Sequence, residues 1–313
     1  MEPPETYYGR VGGPFRTIIV GVDDDQGGRD ATALAKLLLS AGGSLTLARV
    51  GVSDSLIRDG SGQAVTLDEF WQRGGARAQP RHERGGDDEL RQIESASVGR
   101  GLHELACADR ADLIVVGSCR RGLVGRVMID DATTDALNGA PCAIAIAPFG
   151  YAERPAALSE IGVGYNGSPE SKDALAVARS LATEHAATLS AFQAVSVPSH
   201  VSVLANGNGA VTESPPVMVQ QARARITALG DIEPHAAYGV PAEELAVYSA
   251  SLDLLVVGSR GYGPVGRLVH GSTSRRLGQT ARCPLLVLTR DARARLPGEF
   301  HYNGRVPDAA AVG

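Results

Sequence analysis

Apolar residues fall along this chain in short unbroken runs, separated by stretches of helical period. In the second half, 161–165, 189–195, 236–238, 254–257 and 285–288 predict strands. Between them, 217–229, 241–251 and 273–280 predict helices, and another opens at Ser168-Pro169. Ser suits the N-cap and Pro the first helical position. Behind them Ala174, Leu175, Ala178, Leu181 and Ala182 recur on one helical face. Runs such as Leu254-Leu-Val-Val and Leu285-Leu-Val-Leu show no polar alternation, which fits strands buried on both faces of a parallel sheet. Strand–helix alternation then predicts an open, doubly wound α/β sheet, whose ligands bind at the carboxyl ends of the strands.

The pattern occurs twice. Asp112-Leu-Ile-Val-Val-Gly-Ser118 recurs as Asp253-Leu-Leu-Val-Val-Gly-Ser259, and the same offset of 141 relates Gly122 to Gly263, Val124-Gly-Arg126 to Val265-Gly-Arg267, and Cys142 to Cys283. Near the start of each half, the segment ending at Asp23 resembles the one ending at Asn166, offset by 143. A period this long marks a duplicated domain rather than a solenoid. The expected division is a tail over 1–14, a first domain over 15–150, a second over 157–291, and a tail over 292–313. The stretch 73–88, rich in Gly and Arg, reads as a loop where the second half has a helix.

The 313 residues, 43% hydrophobic and 21% charged, suffice for two cores and exclude a disordered chain. A net charge of −5 argues against a partner bound by phosphate neutralisation, so no nucleic acid is expected. No apolar run approaches the ~18 residues that span a bilayer, and the first residues lack a signal-peptide core, so the expectation is a cytoplasmic protein without a membrane partner. Cys107, Cys119, Cys142 and Cys283 have no metal-type spacing; the first, third and fourth lie in apolar contexts and read as inert packing residues.

The most specific feature is Gly258-Ser259-Arg260-Gly261 followed, after nine residues, by Gly271-Ser272-Thr273-Ser274. It begins where an apolar strand ends and finishes where a helix starts. There, backbone N–H groups and a helix N-terminus converge on one point and favour an anion such as a polyphosphate. Hydroxyls at Ser272 and Ser274 add donors. Arg260 and Arg267 either screen phosphate charge or carry solvated heads, and His270 reads as a solvated loop residue.

This signature, behind an Asp-Leu-Leu-Val-Val strand, resembles the ATP-binding signature of the universal stress protein (UspA-like) family. The resemblance extends to Val20-Gly-Val-Asp23, Gly167-Ser-Pro169 and the closing Cys283-Pro-Leu-Leu-Val run, so the chain resembles a tandem member. It implies two Rossmann-like, adenine nucleotide alpha hydrolase-like domains and a bound ATP, or AMP or ADP, which Mg can accompany. Phosphate and ribose contacts then fall on Gly258, Ser259, Arg260, Gly261, Gly271, Ser272, Thr273 and Ser274. The strand ends Gly164, Asn166, Val195 and Val257 would hold the adenosine part. Asn166 stands where the family usually has Asp. The first half keeps Asp23 but has Arg120, Asp130 and Asp131 in place of Gly261, Gly271 and Ser272. Carboxylates at a helix N-terminus occupy its N–H groups and repel phosphate, so no nucleotide is expected there.

Gly162-x-Gly164-x-x-Gly167 matches a dinucleotide fingerprint literally, but no acidic residue follows the second strand before Glu213, and no Gly-Lys-Ser/Thr P-loop occurs. Three functions remain open on the residues: a stress-response regulator that senses ATP, a slow ATPase or adenine-nucleotide-dependent enzyme, and a nucleotide-free interaction protein. The first is favoured, because no set of metal ligands and no nucleophile-positioning residue accompanies the loop. Family domains pair through their closing edge strands, so an intrachain pseudo-twofold pair through 143–147 and 285–288 is expected. A homodimer is compatible with it.

Overall fold

The computed structural model describes residues 13–23, 25–52, 57–58, 64–65, 81–85, 88–118, 124–128, 134, 136, 138–155, 157–196, 214–259 and 272–289. The expected tails therefore lie almost wholly outside the described residues. The first half runs β1 (Thr17–Gly21), α1 (Gln26–Leu38), β2 (Ser44–Val52), the short pair β3 (Ile57–Arg58) and β4 (Ala64–Val65), β5 (Arg81–Gly85), β6 (Asp88–Ser95), α2 (Val98–Ala108), β7 (Leu113–Gly117) and β8 (Ala143–Ala147). A 3-10 turn (Tyr151–Glu153) leads to β9 (Glu160–Gly164), α3 (Pro169–His185), β10 (Thr188–Val195), α4 (Pro215–Thr227), β11 (Glu233–Tyr238), α5 (Pro241–Tyr248), β12 (Leu254–Gly258), α6 (Ser272–Thr280) and β13 (Leu285–Leu288).

Eleven strands form one open sheet in the order β11-β10-β9-β12-β13-β8-β7-β1-β2-β6-β5. The two halves mirror each other about its middle. There β13 and β8 pair antiparallel, with Leu285 opposite Ile146 and Val287 opposite Ile144, as the edge-strand argument expects; within this sheet β5–β6 is the other antiparallel pair and the rest are parallel, while β3 and β4 pair antiparallel apart from it. Among the described residues, the first half contributes six strands to this sheet and the second five. β5 pairs antiparallel with β6 at the sheet edge, which corrects the loop expected over 73–88 at residues 81–85; 73–80, 86 and 87 lie outside the described residues. The charged sequence of β5, Arg-His-Glu-Arg-Gly, reads as loop because charges oppose burial, but an edge strand tolerates charge.

Parallel strands buried on both faces need apolar residues at successive positions, and all four of Leu254 to Val257 and all five of Ala143 to Ala147 are buried. The Asp that opens each repeat ties the sheet together at its amino end. The Asp112 carboxylate accepts from Arg16 and Thr17 N–H at 2.9 and 3.0 Å, and Asp253 accepts from Ser159 and Glu160 N–H at 2.8 and 2.9 Å. One apolar layer packs under α1 and α3, including Leu34, Val115, Val163 and Leu181. The other includes Leu102, Leu245, Leu255 and Leu277 from α2, α5, β12 and α6. Each layer draws on both halves, so the core runs through the antiparallel seam.

Helix α3 follows its sequence closely: the Ser168 hydroxyl accepts from Ser171 N–H, Pro169 occupies the first turn, and all five predicted face residues are buried. Helix α4 starts two residues before the predicted position because Pro215 and Pro216 supply its first turn. The predicted helix 241–251 stays α-helical only to Tyr248, ending in a 3-10 turn over Ser249–Ser251. Cys142 and Cys283 are buried but Cys107 is exposed. α2 turns Gly101, Leu102, Leu105 and Ala106 inward instead, so Cys107 is not the packing residue its apolar context suggested. Among the described residues no helix is long and apolar enough to cross a membrane.

Candidate functional site

In the second half the sheet order reverses direction between β9 and β12, the neighbours at which chain connections leave to opposite sides. Their carboxyl ends diverge into a cleft of ≈ 270 Å³, near the lower end of the ~300–1,000 Å³ typical of small-molecule sites. Its floor is the register pair Gly164 and Val257, and its walls are Phe192 and Ala194 of β10 with Pro241 and Leu245 of α5. Polar groups collect at the mouth: Asn166, Ser168 and Ser171 before and within α3, and Thr273 and Ser274 in the first turn of α6.

Glycines let the elements around this cleft approach closely. A Cβ at Gly164 would stand 3.1 Å from the Val257 Cγ1, and one at Gly258 would stand 2.4 Å from the Glu170 carbonyl oxygen. Gly258 therefore lets the start of α3 lie directly on the end of β12. Gly162, the first glycine of the apparent dinucleotide fingerprint, serves packing: its Cβ would meet Leu252 at 2.3 Å and the Tyr248 ring at 2.8 Å. At Gly167 the backbone turns with φ +80°, which favours glycine. The Asn166 Oδ1 accepts from Ser168 N–H across that turn at 3.0 Å.

Of the residues singled out in the sequence, Gly164, Asn166, Val257, Gly258, Thr273 and Ser274 come together on this cleft. Ser259 lies beside it and donates its N–H to the Leu288 carbonyl at 2.9 Å, which ties the loop start to β13. Ser272 opens α6. Arg260, Gly261 and Gly271 lie outside the described residues, as do Arg267 and His270. Val195 does not line the cleft, and the pleat explains why. Phe192 and Ala194 point to the cleft side, so Val195 points to the opposite face. Pleat alternation could have identified Phe192 and Ala194; Tyr165, Pro241 and Leu245 carry no signal short of the fold. Among the described residues, no three His, Cys, Asp or Glu side chains gather to hold a metal ion.

The first half has a matching but smaller cleft of ≈ 150 Å³ between the ends of β1 and β7. Gly21, Leu102, Val116 and Gly117 stand where Gly164, Leu245, Val257 and Gly258 stand in the second. The mouths differ in charge. Asp23 and Asp25 line the first, and Asn166 and Ser168 occupy the same places in the second. Asp25 caps α1, accepting from Gly27 and Gly28 N–H at 2.6 and 3.3 Å. Partial burial, then the hydrogen-bonded and like-charged Asp25, push the Asp23 carboxyl up to about 6. Because the folded value lies above the unfolded one, the folded chain binds the extra proton. Stability should thus fall as pH rises from about 4 to about 6. Asp23→Asn is expected to flatten that segment of the profile and to raise stability at pH 7. Urea titrations of both proteins across this range check it, and an unchanged profile would count against the assignment.

Comparison with known proteins agrees with this architecture. The profile of the Universal stress protein family matches twice, over residues 14–148 and 158–289. A universal stress protein of Mycobacterium tuberculosis (H37Rv) is 29% identical over 184 residues, 58% of this chain. The match spans 62% of that relative's length. A universal stress protein from Archaeoglobus fulgidus is 14% identical with a TM-score of 0.57, covering 88% of this chain and 98% of that one. A Pseudomonas aeruginosa UCBPP-PA14 structure of the same description is 18% identical with a TM-score of 0.59, covering 90% and 96%. Two profile matches on two mirrored halves of one sheet leave a single conclusion: the chain belongs to the universal stress protein family and carries its domain twice in tandem.

Proposed function

We propose that the second domain binds ATP or another adenine nucleotide, one per chain, and that the protein acts as a nucleotide-responsive stress regulator rather than as a fast enzyme. The observation that carries this reading is the contrast between the two cleft mouths. The second presents an amide and hydroxyls, Asn166, Ser168, Ser171, Thr273 and Ser274, at the opening turns of two helices. Helix N-termini attract anions, and neutral hydrogen-bonding side chains leave that attraction intact. The first mouth presents Asp23 and Asp25, whose charge opposes a phosphate. The apolar wall of Phe192, Leu245 and Val257 suits a planar base.

Mass spectrometry of nucleotide released from the purified protein, with titration calorimetry, tests the reading. One adenine nucleotide per chain is expected, with turnover far below the ~10 per second of a typical enzyme. Steady turnover near that rate, lost on changing the loop, would make the protein an ATPase. Failure to retain or bind any adenine nucleotide would leave it an interaction protein.

A further inference from the structure

The seam between the halves connects the helix that opens on the second cleft to the wall of the first. Helix α6 begins at the candidate site, where Thr273 and Ser274 line the cleft. Nine residues, about 13 Å of helix, carry it to the seam. There the Ala281 carbonyl accepts from the N–H of Val127, a residue of the first half, at 2.9 Å. Val127 is fully buried although Val124, Gly125 and Arg126 just before it are exposed. The segment thus meets the second domain through an anchored residue. The next N–H, that of Met128, donates to the Ser118 Oγ at 3.2 Å, and Ser118 Oγ donates to the Ala147 carbonyl at 2.7 Å.

Ser118 lines the first-domain cleft. Its strand end bears directly on α1: a Cβ on Gly27 would stand 3.2 Å from the Ser118 carbonyl oxygen, and one on Gly117 would stand 2.1 Å from that of Gly27. Gly27 in turn belongs to the turn that Asp25 caps. Leu277, Ala281 and Val127 share one buried cluster with Cys142, Ile144 and Val287 from both sides of the seam. An interior packed at this closeness passes a displacement on rather than absorbing it.

We propose that occupancy of the second-domain cleft is transmitted along α6, through the Ala281–Val127 hydrogen bond and Ser118, to the first-domain cleft, which makes the first domain the responder of the pair. This rests on the nucleotide reading above. A ligand held by the opening turn of α6 favours one position of that helix over another, and such a preference is what coupling between sites requires. The degenerate loop of the first half is then compatible with a working role, because a responder does not need to bind phosphate.

Hydrogen exchange on the full chain, with and without saturating ATP and alongside calorimetry, tests the route. ATP is expected to change exchange by about fivefold or more in segments containing Gly27–Gly28, Gly117–Ser118 and Val127–Met128. Val127→Pro, which removes the N–H that the Ala281 carbonyl accepts, should bind ATP with unchanged affinity and lose the first-domain response. Should that variant not fold, Ser118→Ala serves instead: it should keep the response at 127–128 and lose it at 27–28. ATP binding with no change in the first domain overturns the coupling and leaves the nucleotide reading standing. A wild-type response in the variant that folds overturns the route. Absence of ATP binding overturns the nucleotide reading and the coupling with it.

Discussion

Gly271→Asp is expected to abolish measurable nucleotide binding by this chain. Gly271 directly precedes α6, whose first turn contributes Thr273 and Ser274 to the cleft. The first half carries Asp130 at the corresponding place, so the substitution gives the second half the residue of its counterpart. A carboxylate there competes for the free N–H groups of the helix and opposes the phosphate. Like charges ~4 Å apart at an effective dielectric near 20 cost about 4 kcal/mol for each charge pair. That turns micromolar affinity into millimolar. Asp23→Ala, in the first cleft, should leave affinity unaltered. Calorimetry on the wild type and both variants decides the matter. Two sites per chain would sink the assignment, as would binding that survives Gly271→Asp and fails with Asp23→Ala.

Asp30→Ala should lower stability by about 3 kcal/mol. Asp30 lies fully buried on α1. Its carboxylate accepts from Gly150 N–H at 2.8 Å, Ala152 N–H at 2.7 Å and Gln26 Nε2 at 3.0 Å. Gly150 and Ala152 belong to the turn that leads from β8 into the second half. Truncation leaves two backbone donors without their acceptor, at ~1–3 kcal/mol each where water cannot enter. Asp30→Asn keeps one acceptor oxygen and should cost less. Denaturant midpoints at constant slope measure both. A loss below about 1 kcal/mol for Asp30→Ala would show that water or a neighbour replaces the carboxylate.

Neither the Asp30 contact nor the route through Val127 is visible along the chain. Asp30 reads as one acid on an amphipathic helix, 120 residues from the N–H of Gly150 that it holds. Val127 reads as one apolar residue in a glycine-rich connection. Asp112 and Asp253 were visible as the first letters of the repeat, but their work of tying β1 and β9 to the neighbouring strands depends on sheet order. Position along β10 points to Val195 rather than Phe192, because it ignores the pleat that decides which side chain faces the cleft. The charged strand β5 reads as a loop for a related reason: composition records a preference for water, and an edge strand tolerates charge.

Local chemistry is what the sequence determined by itself. Unbroken apolar runs and helical periodicity prescribed strands buried on both faces and helices laid against them. The repeated Asp-Leu-x-Val-Val-Gly-Ser prescribed two domains. Burial and backbone hydrogen bonding act on neighbouring residues, so these features are written where they operate. Tertiary structure alone decided the antiparallel joining of β8 and β13 into a sheet of eleven strands. It also decided the buried contacts that span the seam, such as those of Asp30 with Gly150 and of Val127 with Ala281. These depend on groups more than a hundred residues apart meeting within a few ångströms, and chain topology fixes such meetings where no local pattern can.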